Sequence, residues 1–279
     1  MSSMVIAMVR EVFFGPDGDD RLRTVLSEAR QRGAELAVLP ELALMPWRPA
    51  SRTPVDSDAE PLRGATFERL SRAARYEAIG VLGGLIELDP QSGRRHGTAV
   101  LVDAYGQYVS HYRKTHVPQE EGFWEGDHYD AGDDVPQVIE GAPLRLGVQI
   151  CSDVNRPQGT HLLSAQGAEV VLCPRATEEA TFSRWRTVLT ANALVSSCYV
   201  LSVPRPRPEA GVLLGGPSFA VAPDGTVLVE TEDMLSYVEV ERDAVEHARH
   251  AYPGYLAVRA PLYARGWADL GEQRRDWRR

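Results

Sequence analysis

The chain has 279 residues, 43% of them hydrophobic and 25% charged, and its 30 Lys+Arg against 39 Asp+Glu leave a formal net charge of −9. That length can bury a substantial core, and the composition excludes a wholly disordered chain. The acidic balance argues against a broad nucleic-acid surface, which needs clustered Lys and Arg; the dense basic run Arg274, Arg275, Arg278 and Arg279 reads as a solvated end.

No window of about 18 consecutive apolar residues exists, so no membrane span is expected. The opening MSSMVIAMVREVFF lacks the charged start and long apolar core of a signal peptide, and reads as a first strand. Cys151, Cys173 and Cys198 are too few and too odd in number for a disulfide framework, and their spacing matches no zinc pattern. A reducing, cytoplasmic setting without a cofactor or metal is the expectation.

In chain order, Met4–Val9 reads as a strand, and Asp20–Arg32 as a helix with Leu22, Val25, Leu26 and Ala29 on one face. Leu36–Leu39 is a short buried-type strand ended by Pro40, and Gly64–Tyr76 a second helix. Strands are expected at Val81–Leu88, Thr98–Val102 and Tyr108–Tyr112, before an acidic, Gly-containing loop from Lys114 to Pro136. A strand at Leu144–Ile150, a helix at Arg156–Gln166, a strand at Val170–Cys173 and a long helix at Phe182–Ser197 follow. Tyr199–Val203 is a strand, and Gly216–Val221 with Thr226–Val229 form a hairpin across Pro223-Asp224-Gly225. Strands interleaved with helices and no visible internal repeat predict one α/β domain over 1–279. Residues from about 250 to 279 are expected to form an irregular arm on a neighbour.

Three chemically capable residues each follow an apolar strand, where α/β sheets place functional groups: Glu41 in LAVLPEL, Lys114 in YRKTHVP and Cys151 in LGVQICSD. Singly, each has a bland reading as core or surface. Together they supply a nucleophile, a base and a cation. A thiol of ordinary pKa is only a few per cent thiolate at neutral pH, so a carboxylate that takes its proton makes it reactive. An ammonium can then stabilise the oxyanion that forms. The absence of a His at a comparable strand end disfavours a Cys-His protease.

Those three blocks, in that order and at those separations, resemble the nitrilase superfamily of carbon–nitrogen hydrolases. GAEVVLCPRA, the helix around Trp185 and GGPSFAVAPDG resemble the family's C-terminal half, so the likeness covers roughly residues 4–230. The resemblance implies a four-layer αββα sandwich, a Glu41-Lys114-Cys151 triad and an oxyanion contact from the Ser152 backbone N–H. The run from Lys114 to Asp133 is most similar to the amidase and N-carbamoylputrescine amidase branch. It implies Glu125 as a second, substrate-orienting glutamate, with Glu121 as the rival. Two further substrate-binding candidates carry alternatives: Asp153 either holds the nucleophile turn or faces substrate, and Arg175 either pairs nearby acids or binds a substrate carboxylate.

The expected reaction is hydrolysis of a small linear amide or N-carbamoyl amine through a Cys thioester. The alternatives are a nitrilase acting on a C≡N bond, or a catalytically idle binding member; the intact Glu41, Lys114 and Cys151 argue against the latter. The acids between Glu120 and Asp134 give a lean toward neutral or amine-bearing substrates. The resemblance also implies a homodimer or larger even oligomer paired through the helices Arg156–Gln166 and Phe182–Ser197.

Overall fold

The computed structural model describes residues 2–140 and 143–273. The basic run at Arg274, Arg275, Arg278 and Arg279 lies outside them. The first half of the chain comprises β1 (Ser3–Val9), α1 (Gly18–Gln31), β2 (Leu36–Val38), the short β3 (Ala59–Glu60), α2 (Ala65–Glu77), β4 (Gly80–Leu88), β5 (Arg95–Val102) and β6 (Tyr108–Arg113). After α3 (Glu125–His128), the second half comprises β7 (Leu146–Val148), α4 (Pro157–Ala165), β8 (Val170–Arg175), α5 (Phe182–Ser196), β9 (Tyr199–Pro204), β10 (Ser218–Val221) and β11 (Val227–Thr231). Then follow β12 (Leu235–Glu241), α6 (Arg242–His250) and α7 (Ala260–Gln273).

These elements make two sheets, one ordered β12-β1-β2-β4-β5-β6 with β3 on β4, the other β11-β10-β9-β8-β7. The halves share a connection pattern that no residue repeat announced. In each, parallel strands joined by helices (β1-β2-β4 and β7-β8-β9) pass into an antiparallel meander (β4-β5-β6 and β9-β10-β11). β12 leaves the second half to pair antiparallel with β1 along seven residues, from Ser3–Glu241 to Val9–Leu235.

Strand alternation sets the layers. On β1, Ile6 and Met8 enter the core between the sheets with Leu172 of β8 and Leu201 of β9, while Ala7 and Val9 face Leu26 of α1 and Leu70 of α2. On β8, Val170 and Leu172 turn inward, and Val171 and Cys173 meet Leu163 of α4 and Leu189 of α5. The result is helices, sheet, sheet, helices: the αββα sandwich.

Five elements depart from the sequence expectation. α3 lies in the stretch read as a loop, and β3, β12 and α6 in stretches read without structure. The arm expected to be irregular carries α7, whose Pro261 sits in the first turn, where a missing N–H costs nothing, and whose Ala, Leu, Arg, Glu and Gln residues favour helix.

Candidate active site

Glu41, Lys114 and Cys151 arrive at one place because each follows a strand at the same end of the sandwich: β2, β6 and β7. Glu41 is buried just past Pro40, in a turn whose next residue, Leu42, has φ 50°. Gly84 of β4 makes room for that turn: a Cβ there would stand 3.0 Å from the Leu42 N. Glu41 Oε1 accepts from Lys114 Nζ at 2.7 Å, and its Oε2 accepts from the Ala176 N–H at 3.1 Å.

Lys114 is fully buried and also donates to Glu125 Oε2. Burial alone would lower its pKa, but the carboxylates of Glu125 and Glu41 outweigh that and hold the ammonium well above its ordinary value. Glu125 opens the short α3 and is itself fully buried. Its Oε2 also accepts from Tyr129 Oη at 2.5 Å. Tyr129 fits beside β5 because Gly97 lacks a side chain; a Cβ there would lie 2.9 Å from the ring. The other oxygen of Glu125, Oε1, is buried and accepts no hydrogen bond from the described residues. Burial raises the Glu125 pKa to about 7 against the opposing pull of Lys114.

Cys151 sits where β7 gives way to a 3-10 turn, Cys151–Asn155, and its backbone is left-handed at φ 47°. For a residue with a Cβ this is a strained conformation of the kind found at functional turns. Its Sγ donates to the Ala176 carbonyl at 3.3 Å. One residue, Ala176, thus takes the thiol on its C=O and Glu41 on its N–H. Burial and the Glu41 charge push the thiol well above its ordinary range, with Lys114 opposing. The resting Cys151 side chain is therefore a neutral thiol, and to act as a nucleophile it would need a base.

Asp153 ties the Cys151 turn to the Lys114 loop. Its Oδ1 accepts from the N–H groups of Thr115 at 3.2 Å and His116 at 2.8 Å, and lies 2.9 Å from His116 Nδ1. Its Oδ2 accepts from Tyr112 Oη and the Ile150 N–H, both at 3.0 Å. Ser152 Oγ adds a bond to the His116 carbonyl. On the other side, Asn192 of α5 donates to the Val154 carbonyl at 2.7 Å.

The remaining sequence candidates sit elsewhere. Glu121 is exposed. Arg175, weighed for substrate, is fully buried on the helix-facing side of β8, two residues from Cys173, and is spent on Ser202 Oγ at 2.9 Å, Thr177 Oγ1 and the Pro217 carbonyl at 2.6 Å. Both oxygens of Asp153 are likewise committed to protein donors. In the acidic loop, Asp127 pairs with Arg52 at 2.9 Å and Asp133 with Arg94 at 2.7 Å. Sequence reasoning missed Tyr129 and Ala176. The aromatic four residues after Glu125, one helical turn on, was the available signal for Tyr129; Ala176 acts through its backbone, which no residue type marks.

Around these polar groups lies an apolar cluster that includes Leu42, Phe123, Tyr129, Ala176, Val212 and Leu214. Cys173 and Cys198 are buried in the layer between the second sheet and α5, with thiol pKa values pushed up to about 12 by burial. Among the described residues no cluster of His, Cys, Asp and Glu could hold a metal ion, and no helix is long and apolar enough to cross a membrane.

The family model for carbon–nitrogen hydrolases matches residues 18–250. An (R)-stereoselective amidase from Pseudomonas sp is 30% identical over an aligned length of 271 residues, gaps included, covering 94% of this chain and 94% of that protein. The crystal structure of a carbon–nitrogen hydrolase from Helicobacter pylori G27 shares the fold with a TM-score of 0.84 at 20% identity, over 94% of this chain and 97% of that one. Saccharomyces cerevisiae Nit3, a nitrilase-superfamily member, does so with a TM-score of 0.80 at 24% identity, over 93% and 97% of the two chains. The chain belongs to the carbon–nitrogen hydrolase family, alongside its amidases.

Proposed function

We propose that the protein hydrolyses a small, uncharged carboxamide or N-carbamoyl amine through a thioester on Cys151. The observation that carries this reading is the unpartnered Oε1 of Glu125, a buried acceptor beside a buried ammonium. A buried oxygen without a donor is costly, and the N–H of an amide or carbamoyl group supplies one. The apolar cluster around it favours an uncharged acyl group.

In the first half-reaction Glu41 takes the proton from Cys151 Sγ, and the thiolate attacks the carbonyl carbon. Lys114 Nζ and the Ser152 N–H stabilise the oxyanion. As the tetrahedral adduct collapses, Glu41 gives that proton to the departing nitrogen, and ammonia or an amine leaves. Water then attacks the thioester while Glu41 takes its proton. Collapse expels the sulfur, Glu41 reprotonates it, and the acid is released. The chemistry calls for no cofactor and suits a reducing, cytoplasmic compartment.

We also propose that the protein works as a homodimer or larger even oligomer. Leu162 of α4, Leu194 and Val195 of α5, and Tyr263 and Trp267 of α7 are exposed apolar side chains on the segments expected to pair.

A nitrile, the runner-up substrate, presents no N–H to Glu125. The test is ammonia release from a matched primary amide, N-carbamoyl amine and nitrile of the same carbon skeleton. The amide or carbamoyl compound is expected to be the better substrate by kcat/KM. A nitrile turned over faster than its amide would overturn the reading.

A further inference from the structure

The turn that carries Glu41 is held from behind by a buried cation that the chemistry above does not use. Arg205 lies just past β9 and is fully buried. Its Nη1 donates to the carbonyls of Glu41 at 2.9 Å and Leu42 at 2.8 Å, and its Nη2 to the carbonyl of Met45 at 3.0 Å. Its Nε donates to Glu209 Oε1 at 2.9 Å, and its Nη2 to Glu209 Oε2 at 2.6 Å. These bonds use all five N–H groups of a guanidinium. Burial disfavours the charge on Arg205, and the Glu209 carboxylate opposes that effect.

The cluster reaches further than the base turn. Glu209 Oε2 accepts from the Trp47 N–H at 3.1 Å. The Trp47 ring centroid lies 5.6 Å from Arg205 Cζ, and Trp47 Nε1 donates to the Gly122 carbonyl at 2.9 Å. Gly122 begins the segment that leads to Glu125. Leu42, held at φ 50°, is a non-glycine residue in a conformation that needs external support, and its own carbonyl is one of those Arg205 holds.

We propose that Arg205, oriented by Glu209, is the positioning residue of the base: it fixes the Glu41–Leu42 turn so that the Glu41 carboxylate meets Lys114, Ala176 and the thiol together, and through Trp47 and Gly122 it couples that turn to the Glu125 segment. The proposal rests on reading Glu41 as the base. Lysine is a poor replacement, since an ammonium has three donors and no planar fork. Displacing a reacting group by about 1 Å is enough to lose on the order of 10²-fold in rate.

The experiment uses Arg205→Lys and Glu209→Gln, each alone and combined with Glu41→Gln, with folding checked by thermal melts. kcat and KM are measured for the parent and for every single variant, Glu41→Gln included, and the rate of Cys151 alkylation by iodoacetamide is followed against pH in these and in the double variants. Arg205→Lys is expected to lower kcat on the order of 10²-fold with a much smaller change in KM. Its alkylation rate should fall to that of Glu41→Gln, and in the Glu41→Gln background it should change that rate by no more than about twofold. Glu209→Gln should act in the same direction with a smaller loss, and it carries the test if Arg205→Lys does not fold. A folded Arg205→Lys with parental kcat, or an equal loss of alkylation rate in both backgrounds, would assign Arg205 to stability alone and overturn the proposal. Parental turnover in Glu41→Gln would instead remove the base itself, and the proposal with it.

Discussion

Glu125 shows how one side chain can be costly to the fold and useful to the site. Burial raises its pKa to about 7 in the folded protein, against a reference value of 4.5 for an unburied glutamate, so both of its oxygens are acceptors only once it is ionised toward neutral pH and above. Between those values the folded state binds the extra proton, so stability falls as pH rises through the window. Glu125→Gln removes this dependence. The variant's melting temperature relative to the parent is therefore expected to climb between about pH 5 and about pH 8, and melting curves that shift in parallel would contradict the assignment. The sequence marks Glu41, Lys114 and Cys151 because each follows an apolar strand. It does not separate Glu125 from Glu121, since both occupy one acidic loop and only burial beside Lys114 tells them apart. Arg175 illustrates the converse. An arginine near the nucleophile strand suggests a substrate anchor, but strand alternation turns it toward the helices.

Elements, in turn, hold these residues in register. The nucleophile turn and the lysine loop belong to opposite sheets, and Asp153 joins them through backbone N–H groups that are otherwise hard to satisfy. Asp153→Ala leaves the buried Ile150 N–H without an acceptor, at a cost of about 1–3 kcal/mol, and removes the part-buried bonds from Thr115, His116 and Tyr112. It should lower the denaturation midpoint sharply and reduce kcat in whatever fraction remains folded; a variant with parental stability would show that the two loops need no link. The alternating strand β12 was legible in principle, since Ser236, Val238 and Val240 point inward between exposed Glu239 and Glu241. Its charged face and the lack of a flanking turn hid it. The shared pattern of β1–β6 and β7–β11 was not legible at all, because topology repeats here without residue identity.

The whole molecule brings Glu41, Lys114 and Cys151, from the ends of β2, β6 and β7, to one end of a sandwich whose two halves follow the same path, while each sheet keeps its own helical cover. That cover is incomplete on α4, α5 and α7, where large apolar side chains face outward. Light scattering at micromolar concentration is expected to give a dimer or larger even assembly, and a strict monomer would contradict it. The central claim is covalent catalysis at Cys151, and trapping the acyl-enzyme tests it most directly. Protein mixed with a turned-over amide is quenched in acid within a turnover and digested for mass spectrometry. The account predicts an added acyl mass on the peptide that carries Cys151, absent from Cys151→Ala, which should be folded and inactive. Undiminished turnover in Cys151→Ala, with no adduct on the parent, would contradict it.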